Sequence, residues 1–268
     1  MRATARTRVF AVLGDPVRHS LSPVMHNAAF RILGLNAVYI ALHCEPGELA
    51  PVMRALARGG GGGNVTVPHK AEALAALDRA GPLAVAAGAC NTFWGTEGQL
   101  AGDNTDVTGV VEAMAALGAP ATAWLVAGTG GSARAVAEAA SRLGARLAVR
   151  SRDAARGREF LAWAEARGVA PATAEEAEVL VNATPLGLRG ADPMPFPPHV
   201  RRGVSHALDL VYAAGGTPWV RALRAAGVRA EDGRLMLLAQ GAAGFELWFP
   251  GTPAPREAMH AALRRALG

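Results

Sequence analysis

The chain has 268 residues, 51% of them hydrophobic, and its 27 basic and 22 acidic side chains give a formal net charge of +5. That hydrophobic fraction excludes a disordered chain, and the length allows one large domain or two of ordinary size. The longest apolar stretches fall short of the ~18–20 residues that a membrane span needs. The basic N-terminus leads into no apolar signal segment, so we predict a soluble, cytoplasmic protein.

The basic residues are unusual in their ratio, with 26 arginines and a single lysine, Lys70. A compositional drift would replace lysine with arginine wherever only positive charge is needed, and Lys70 is the one position where this replacement did not occur. The arginines are scattered and aromatic residues make up only 5%, which predicts no nucleic-acid partner despite a sequence pI near 10.2. Cys44 and Cys90 form no CxxC pair and no HExxH occurs, so we expect neither a disulfide framework nor a metal.

The first part of the chain alternates short apolar runs with helical patterns, which predicts an α/β layer. A glycine run, Gly59–Gly63, leads into the third predicted strand. The predicted elements are strand Val9–Leu13, helix Pro23–Leu33, strand Ala37–Leu42, helix Glu48–Ala57, strand Asn64–Pro68, helix Lys70–Leu77, a hairpin Asn91–Gly102 and a helix from an N-cap at Thr105 to Leu117.

A second unit begins after Gly118-Ala119-Pro120, and its strands are continuous apolar runs typical of a doubly wound parallel sheet. We therefore predict two α/β domains: residues 1–103, completed by helices in 236–268, and a doubly wound Rossmann domain, 104–235. The predicted elements are strand Ala123–Ala127, helix Ala133–Leu143, strand Arg146–Arg150, helix Asp153–Arg167, strands Val179–Asn182 and Ala207–Val211, and helices Leu235–Phe249 and Pro255–Leu267.

The segment Gly128-Thr129-Gly130-Gly131-Ser132-Ala133 fits G-x-G-x-x-[GA] between a predicted strand and helix. Gly128 permits the tight turn, Gly130 lets a pyrophosphate approach the backbone, and Ala133 is small enough for the helix to pack on the sheet. The free N–H groups of the helix N-terminus suit phosphate. A glycine-rich turn in a glycine-rich chain is the alternative, but the flanking strand and helix favour a dinucleotide site.

The choice between NAD and NADP is made at the end of the next strand, where an NAD site carries an acidic residue. Here Ser151-Arg152-Asp153 is followed by Arg156, and two guanidiniums with a hydroxyl suit a 2′-phosphate. Asp153 does not fit this pattern, and the arginines could simply be the solvated start of a helix. The basic cluster nevertheless favours NADP.

Polar residues gather at several predicted strand ends, as in Asn64–Lys70, Asn91-Thr92 and Gly102–Asp106, which indicates a ligand site. Ser20 and Ser22 stand at the entry of the first helix. Ser22 before Pro23 is also an ordinary N-cap, and both roles are compatible, because a helix N-terminus also suits a carboxylate.

Five motifs in this order resemble the shikimate dehydrogenase family and extend over nearly the whole chain. They are Gly14-Asp15-Pro16-Val17-Arg18-His19-Ser20-Leu21-Ser22-Pro23, Asn64-Val65-Thr66-Val67-Pro68-His69-Lys70, Gly102-Asp103-Asn104-Thr105-Asp106, Asn182-Ala183-Thr184-Pro185-Leu186-Gly187 and Asp209-Leu210-Val211-Tyr212. The resemblance implies NADPH-dependent, reversible reduction of 3-dehydroshikimate to shikimate in aromatic amino acid biosynthesis.

The resemblance also implies that the domain 1–103 binds the substrate, that the domain 104–235 binds NADP, and that individual residues have particular roles. Lys70 and Asp106 would form the catalytic pair. The substrate carboxylate would be held by Ser20 and Ser22, and the ring oxygens by Thr66, Asn91 and Gln240, with Tyr212 nearby. The cofactor would be lined by Gly128, Thr129, Gly130, Gly131, Ser132, Ser151, Arg152, Arg156, Leu210 and Gly233.

The chemistry of ketone reduction supports this interpretation of Lys70, because a proton donor is needed at the carbonyl oxygen. A lysine held by an aspartate can exchange that proton and stabilise the developing alkoxide, whereas arginine does not exchange protons near neutrality. His19 and His69 lie inside the motifs, and we interpret both as structural. The chain departs from the family at Ser151-Arg152-Asp153, where Asn-Arg-Thr is usual, and at Ala213-Ala214, where Asn-Pro is usual. The glycine run Gly59–Gly63 also replaces a more varied stretch, and we expect an unusually mobile loop there.

Three alternatives stay open at this stage: a relative that also uses quinate or NAD, a non-catalytic NADP-binding regulator, and an arginine-rich nucleic-acid binder. We expect a small-molecule substrate, and we expect neither nucleic acid nor a membrane as a partner. A homodimer stays open.

Overall fold

The computed structural model describes residues 3–189, 191–197, 200 and 202–268. Contacts between residues divide the chain into two compact units. The first unit comprises Met1–Thr108 and Leu237–Gly268, and the second unit comprises Gly109–Met236. Each contains a β-sheet with helices, so the predicted α/β class is confirmed. The predicted assignment of substrate to one domain and cofactor to the other stays a prediction.

The elements of the first part of the chain follow the predicted alternation of strands and helices. They are β1 (Arg8–Gly14), α1 (Ser22–Ile32), β2 (Ala37–His43), α2 (Leu49–Arg58), β3 (Gly62–Val65), α3 (Lys70–Ala76), β4 (Arg79–Ala80), α4 (Pro82–Ala87), β5 (Thr92–Thr96), β6 (Gln99–Asp103) and α5 (Thr105–Leu117).

The remaining elements follow the same alternation and end in two helices. They are β7 (Ala123–Ala127), α6 (Gly131–Leu143), β8 (Arg146–Arg150), α7 (Ala154–Glu165), β9 (Val179–Asn182), β10 (His206–Asp209), α8 (Pro218–Ala225), β11 (Arg229–Glu231), α9 (Arg234–Trp248) and α10 (Arg256–Leu267).

The sheet of the first unit has the strand order β2-β1-β3-β5-β6-β4. Strands β1, β2 and β3 are parallel, β5 is antiparallel to both β3 and β6, and β4 is parallel to β6. The carboxyl ends of β1, β3 and β6 therefore share one edge with the amino end of β5. The chain leaves β1 for β2 on one side and returns to β3 on the other, and such a reversal is where open α/β sheets bind ligands.

Alternate residues of β1 enter two different apolar clusters, as expected for a strand covered on both faces. Phe10 and Val12 pack in a cluster with residues of α1, α9 and α10, while Ala11 and Leu13 pack with residues of α2 and β5. The two C-terminal helices thus complete the core of the first unit, although the whole sequence of the second unit separates them from the rest of it.

The second unit has a parallel sheet with the order β11-β10-β9-β7-β8. All residues of β7, β9 and β10 are buried, which explains the apolar run of β7 and the apolar centres of β9 and β10. The chain runs from β7 to β8 on one side and returns to β9 on the other. The loops after β7 and β9 consequently flank the position where the strand order reverses.

The expected mobile loop at Gly59–Gly63 was wrong, since Gly62 and Gly63 begin the buried strand β3 between β1 and β5. A Cβ on Gly63 would lie 2.0 Å from the carbonyl oxygen of Ala11, and one on Gly62 would lie 2.4 Å from that of Phe93. Glycine is used here for close strand approach rather than for mobility. The predicted strand Asn64–Pro68 correspondingly ends earlier, at Val65.

Four short elements were not predicted: β4, α4, α8 and β11. Strand β4 has two residues and β11 has three, too short to show a period of two along the chain. Within the described ranges, the helices lack the combination of length and hydropathy needed to cross a membrane.

Candidate active site

The reversal edge of the first unit gathers side chains from three strand ends. Lys70 follows β3, Asn91 precedes β5, and Thr105 and Asp106 follow β6. All four are at least nine-tenths buried. Buried polar groups are costly unless they are paired, so their partners define what this edge can do.

The predicted catalytic residues meet in a buried ion pair. Lys70 Nζ lies 2.5 Å from Oδ2 of Asp106, and the two side chains are 9% and 7% exposed. Lys70 is the first residue of α3 and Asp106 lies in the first turn of α5. The one lysine of the chain is therefore buried in an ion pair rather than exposed on the surface of a helix.

Asn91 links this pair to the residues around it. Its Nδ2 donates to Asp106 Oδ1 at 2.8 Å, to Thr105 Oγ1 at 3.1 Å and to Gln240 Oε1 at 3.4 Å. Its Oδ1 accepts from the backbone N–H of Thr105 at 2.7 Å. Because Asn91 and Lys70 bind different oxygens of Asp106, the carboxylate is fixed on both sides.

The predicted N-cap role of Ser22 was wrong. Helix α1 begins at Ser22 itself, with Leu21 at the N-cap, and Ser22 instead hydrogen-bonds the Tyr39 hydroxyl. Ser20 Oγ accepts from the backbone N–H of Ser22 at 3.3 Å, which holds the two serines together. Asn104, rather than Thr105, accepts from a backbone N–H of the first turn of α5, that of Val107 at 3.3 Å.

Sequence reasoning missed the polar residues that join the serines to the ion pair. Tyr39 donates to Asn64 Oδ1 at 2.7 Å, and Asn64 Nδ2 donates to Thr92 Oγ1 at 2.9 Å. Thr92 Oγ1 lies 2.8 Å from Thr105 Oγ1. Burial raises the pKa of Tyr39 well above its ordinary value, so its hydroxyl is a donor. Asn64 and Thr92 lie in the noted polar segments, but nothing in the sequence pointed to Tyr39.

Two further predicted substrate residues belong to the first unit. Thr66 follows β3, is half-buried, and packs against Gly14, where a Cβ would lie only 2.3 Å from Thr66 Cγ2. Gln240 lies on α9, is 7% exposed, and donates to the Leu237 carbonyl at 3.0 Å while its Oε1 faces Asn91. The third, Tyr212, is half-buried in the second unit, after β10.

The glycine turn of the second unit has the geometry that its motif predicts. Gly128 has φ 110°, and a Cβ there would lie 2.9 Å from the carbonyl oxygen of Ala183. Gly130 is the N-cap of α6, and no described heavy atom lies within 4 Å of a Cβ built on it. Thr129, Gly131 and Ser132 complete the turn into α6. Space and amide donors thus coincide at this helix N-terminus.

The residue that did not fit the NADP pattern has a local explanation. Asp153 is the N-cap of α7, and its Oδ1 accepts from the backbone N–H groups of Ala155 at 2.8 Å and Arg156 at 3.2 Å. Ser151 Oγ accepts from the backbone N–H of Asp153 at 3.2 Å. Arg152, just after β8, and Arg156, in the first turn of α7, are exposed, with Arg156 Nε 3.8 Å from Asp153 Oδ2.

Leu210 and Gly233 come together beyond β10. A Cβ on Gly233 would lie 2.3 Å from the carbonyl oxygen of Leu210, and the Gly233 N–H donates to the Val211 carbonyl at 3.0 Å. The predicted strand Ala207–Val211 ends earlier, at Asp209, so Leu210 and Val211 belong to the loop that follows.

Other reactive side chains are occupied or buried. His69 is 2% exposed, with Nε2 2.7 Å from the Cys44 carbonyl oxygen and Nδ1 3.4 Å from Glu72. Burial raises the pKa of the Cys90 thiol to about 12 and also raises the pKa of Cys44, which makes neither a ready nucleophile. Across the described positions, no three His, Cys, Asp or Glu side chains are grouped as a metal site would require.

Two family models match the chain. The model described as "Shikimate dehydrogenase substrate binding domain" matches residues 12–93, and "Shikimate 5'-dehydrogenase C-terminal domain" matches residues 233–264. The first match contains Lys70 and Asn91, and the second contains Gln240.

Curated relatives match over nearly the whole length. "Shikimate dehydrogenase (NADP(+))" of an Anaeromyxobacter species is 44% identical and covers 97% of both chains, and the protein of the same name from Thermus thermophilus is 42% identical over 97% of this chain and 98% of that one. A crystal structure of the Thermus thermophilus enzyme "in complex with NADP(H) and shikimate" superposes with a TM-score of 0.85 at 40% identity, covering 96% and 99% of the two chains. The chain therefore belongs to the shikimate dehydrogenase family.

Proposed function

We propose that this protein catalyses the reversible, NADPH-dependent reduction of 3-dehydroshikimate to shikimate, as a step of aromatic amino acid biosynthesis. The observation that carries the proposal is the buried Lys70–Asp106 pair, fixed by Asn91, within a family whose curated relatives act with NADP(+). The reaction class is oxidoreduction at a CH–OH group.

The second unit fits a dinucleotide. The turn Gly128–Ser132 leaves open space above Gly130 at the N-terminus of α6, where amide groups can bind a pyrophosphate. Ser151, Arg152 and Arg156 would hold a 2′-phosphate at the end of β8, and Leu210 and Gly233 would lie along the cofactor. When bound, NADPH supplies the hydride.

NADP is favoured over NAD because Asp153 does not act as the acidic residue of an NAD site. Its carboxylate accepts two backbone N–H groups at the start of α7. A carboxylate committed to capping leaves the hydroxyl of Ser151 and the guanidiniums of Arg152 and Arg156 to face the ribose.

Lys70 would exchange the proton at the substrate oxygen. Its ammonium group is held by Asp106 in a buried site, where a positive charge stabilises a developing alkoxide more strongly than in water. Asp106, fixed by Asn91, would keep the ammonium group oriented and share its proton. Arginine could supply the charge but not the proton.

The substrate would bind at the reversal edge of the first unit. Ser20 and Ser22 would donate to its carboxylate, and Thr66, Asn91 and Gln240 would bind its ring oxygens, with Tyr212 as an additional contact. Ser22 hydrogen-bonds the Tyr39 hydroxyl, and a serine hydroxyl has one proton to donate, so donation to the carboxylate would require its hydroxyl to turn away from Tyr39.

We also propose a cytoplasmic location and a homodimer. The described structure has two free, buried cysteines, which suits a reducing compartment. Strand β2 is an edge strand of its sheet; Ile40 within it is 39% exposed, and Ile32, the last residue of α1, is 66% exposed. Pairing of two β2 edges would cover both residues. Sedimentation of the wild-type chain and of an Ile32→Glu/Ile40→Glu variant tests the dimer; two identical monomeric profiles would overturn it.

The proposed activity is tested by adding shikimate to the protein with NADP⁺ and following formation of NADPH. Quinate and NAD⁺ are assayed in parallel at equal concentrations. We expect rapid reduction of NADP⁺ with shikimate and much slower reactions in the other three combinations. No reaction in any combination would refute the function, and comparable rates with quinate or NAD⁺ would identify the broader relative instead.

A further inference from the structure

A buried carboxylate in the second unit lies outside the residues assigned so far. Asp209 is the last residue of β10 and is completely buried. Its Oδ1 accepts from Asn182 Nδ2 at 2.8 Å and from the Val211 N–H at 3.0 Å, and its Oδ2 accepts from Thr217 Oγ1 at 2.7 Å. Both oxygens are therefore engaged, and all three partners are donors.

The three donors come from three different segments. Asn182 ends β9, Val211 lies in the loop after β10, and Thr217 is the N-cap of α8, where its Oγ1 accepts from the Val220 N–H at 3.2 Å. One carboxylate thus connects the end of a strand, a loop and the start of a helix. Removing it would leave three buried donors without their acceptor.

Asn182 extends this connection into the loop after β9. Its Oδ1 accepts from the Thr184 hydroxyl at 2.6 Å and from the Thr184 N–H at 3.1 Å, and its Nδ2 donates to the Leu186 carbonyl at 2.9 Å. The orientation of the Asn182 amide is set by Asp209, because only Nδ2 can donate to a carboxylate. Asp209 therefore fixes both loops, one directly and one through Asn182.

These loops stand beside the glycine turn. Strand β9 pairs with β7, and the carbonyl oxygen of Ala183, one residue after Asn182, lies 2.9 Å from the Cβ position of Gly128. In the loop after β10, the Val211 carbonyl accepts from the Gly233 N–H at 3.0 Å. The segments that Asp209 holds are thus neighbours of the proposed cofactor residues Gly128, Leu210 and Gly233.

Keeping a carboxylate at this place has an electrostatic cost. Burial raises the pKa of Asp209 to about 6, the nearby carboxylate of Asp232 acts in the same direction, and the hydrogen bonds from Thr217, Val211 and Asn182 oppose the rise. Asp232 is itself bound by the Arg234 guanidinium at 2.7 Å. Three convergent donors account for a buried acid that its surroundings otherwise disfavour.

We propose that Asp209 is a positioning residue for the dinucleotide: it holds the loops after β9 and β10 in the arrangement that receives the cofactor. This inference rests on the proposed function, since it needs a dinucleotide to bind at this edge. Without the carboxylate, the loops would have to be ordered at the moment of binding, and the lost preorganisation would weaken binding.

The test compares Asp209→Ala and Asp209→Asn by fluorescence titration with NADPH and by steady-state kinetics. The asparagine oxygen can accept the two donors at Oδ1, and its amide can donate to Thr217 Oγ1, so this variant keeps the connections. We expect the NADPH dissociation constant to rise about tenfold in Asp209→Ala and to stay within about twofold of wild type in Asp209→Asn. A tenfold rise corresponds to about 1.4 kcal/mol.

Shikimate binding is measured on the same samples and is expected to change less than about threefold, because most of its proposed ligands lie in the first unit. Asp78→Ala is the matched control: Asp78 accepts from the Leu100 N–H at 2.8 Å and from the Arg54 guanidinium in the first unit. The Asp78→Ala variant should have a lower free energy of unfolding than wild type and an unchanged NADPH dissociation constant.

Unchanged NADPH affinity in Asp209→Ala, or equal losses in the alanine and asparagine variants, would overturn the inference. If the alanine variant does not fold, Thr217→Val replaces it, deleting one donor with little change of shape; its NADPH dissociation constant should rise about threefold, and no rise would count against Asp209. Wild-type protein that binds no NADPH would refute the proposed function rather than this inference.

Discussion

The two sheets both reverse their strand order, but they present different chemical groups at the reversal edge. In the first unit the edge carries side chains, with Lys70, Asn91 and Asp106 joined by direct hydrogen bonds. In the second unit the loop after β7 carries glycines, and the amides at the start of α6 are the groups on offer. The side chains of the first edge suit proton exchange and orientation, and the amides of the second suit phosphate binding.

The two kinds of site are also stabilised in different ways. The side chains of the first unit are held by one another, through the hydrogen bonds that run from Ser22 and Tyr39 to Asp106. In the second unit, Asn182 and Asp209 hydrogen-bond each other, and Asp209 also accepts from the backbone N–H of Val211 in the loop after β10. Substitutions should therefore reduce turnover in the first unit and cofactor affinity in the second.

The largest effect is expected for Lys70, since the proposed proton donor would be removed. Lys70→Arg keeps the charge and can still bind Asp106, but it should lower kcat by about a thousandfold because guanidinium does not exchange a proton near neutral pH. Lys70→Ala should lose at least as much turnover. Shikimate affinity, measured by equilibrium titration, should change far less than kcat in both variants.

Arg58→Lys serves as a control for the exchange of arginine and lysine, because Arg58 lies exposed at the end of α2. It should leave kcat unchanged. A near-normal kcat in Lys70→Arg would show that Lys70 is not the proton donor. The proposed difference between the edges of the two sheets would then be wrong.

Asn91→Ala should give the next largest effect. It leaves Asp106 Oδ1 without the donor at 2.8 Å and the Thr105 N–H without its acceptor, so kcat should fall by about a hundredfold while NADPH affinity stays the same. Asn27→Ala is the matched control, because the Asn27 amide bonds the backbone of Tyr39 rather than the ion pair. Equal losses of kcat in the two variants would indicate general destabilisation instead.

Arg152→Asp should affect the second unit selectively. We expect the KM for NADPH to rise about tenfold or more and the KM for NADH to change little, because a charge-assisted contact to the 2′-phosphate would be lost. Arg158→Asp makes the same change of charge at an exposed position of α7 and should alter neither value. If NADPH and NADH respond equally to Arg152→Asp, the basic cluster does not select NADP.

Much of this comparison could be predicted from the sequence, because each motif is local. Gly128–Ser132 and the strand before it predict a phosphate-binding turn, and the one lysine of an arginine-rich chain indicates a position with a special role. The partners of these groups could not be predicted, since Tyr39, Asn64 and Thr92 lie on three strands and meet only when β2, β3 and β5 are assembled. The prediction of a mobile loop at the glycine run was wrong for the same reason, because the close neighbours of Gly62 and Gly63 are distant in sequence.

The smallest expected effect is on the free energy of unfolding. A fall in pH should change it in opposite directions through one buried group in each unit. In the first unit, His26 is fully buried, and burial lowers its pKa to about 3, so the imidazole stays neutral in the fold. The unfolded chain takes up a proton near pH 6.5, so stability falls as pH drops from 7 to 5.5, by about 1 kcal/mol. In the second unit, burial raises the pKa of Asp209 to about 6, so the folded state takes up the proton first and stability rises over the same interval, by slightly less than about 1 kcal/mol.

These two contributions partly offset each other in the wild type, so single substitutions should expose them. His26→Leu removes the acid-sensitive group and should become more stable relative to wild type as pH falls from 7 to 5.5, whereas Asp209→Asn should become less stable by a similar amount. Thermal unfolding of the three proteins across this interval measures both. Parallel curves for all three would mean that neither buried group changes its protonation on unfolding, and the electrostatic contrast between the two units would then be wrong.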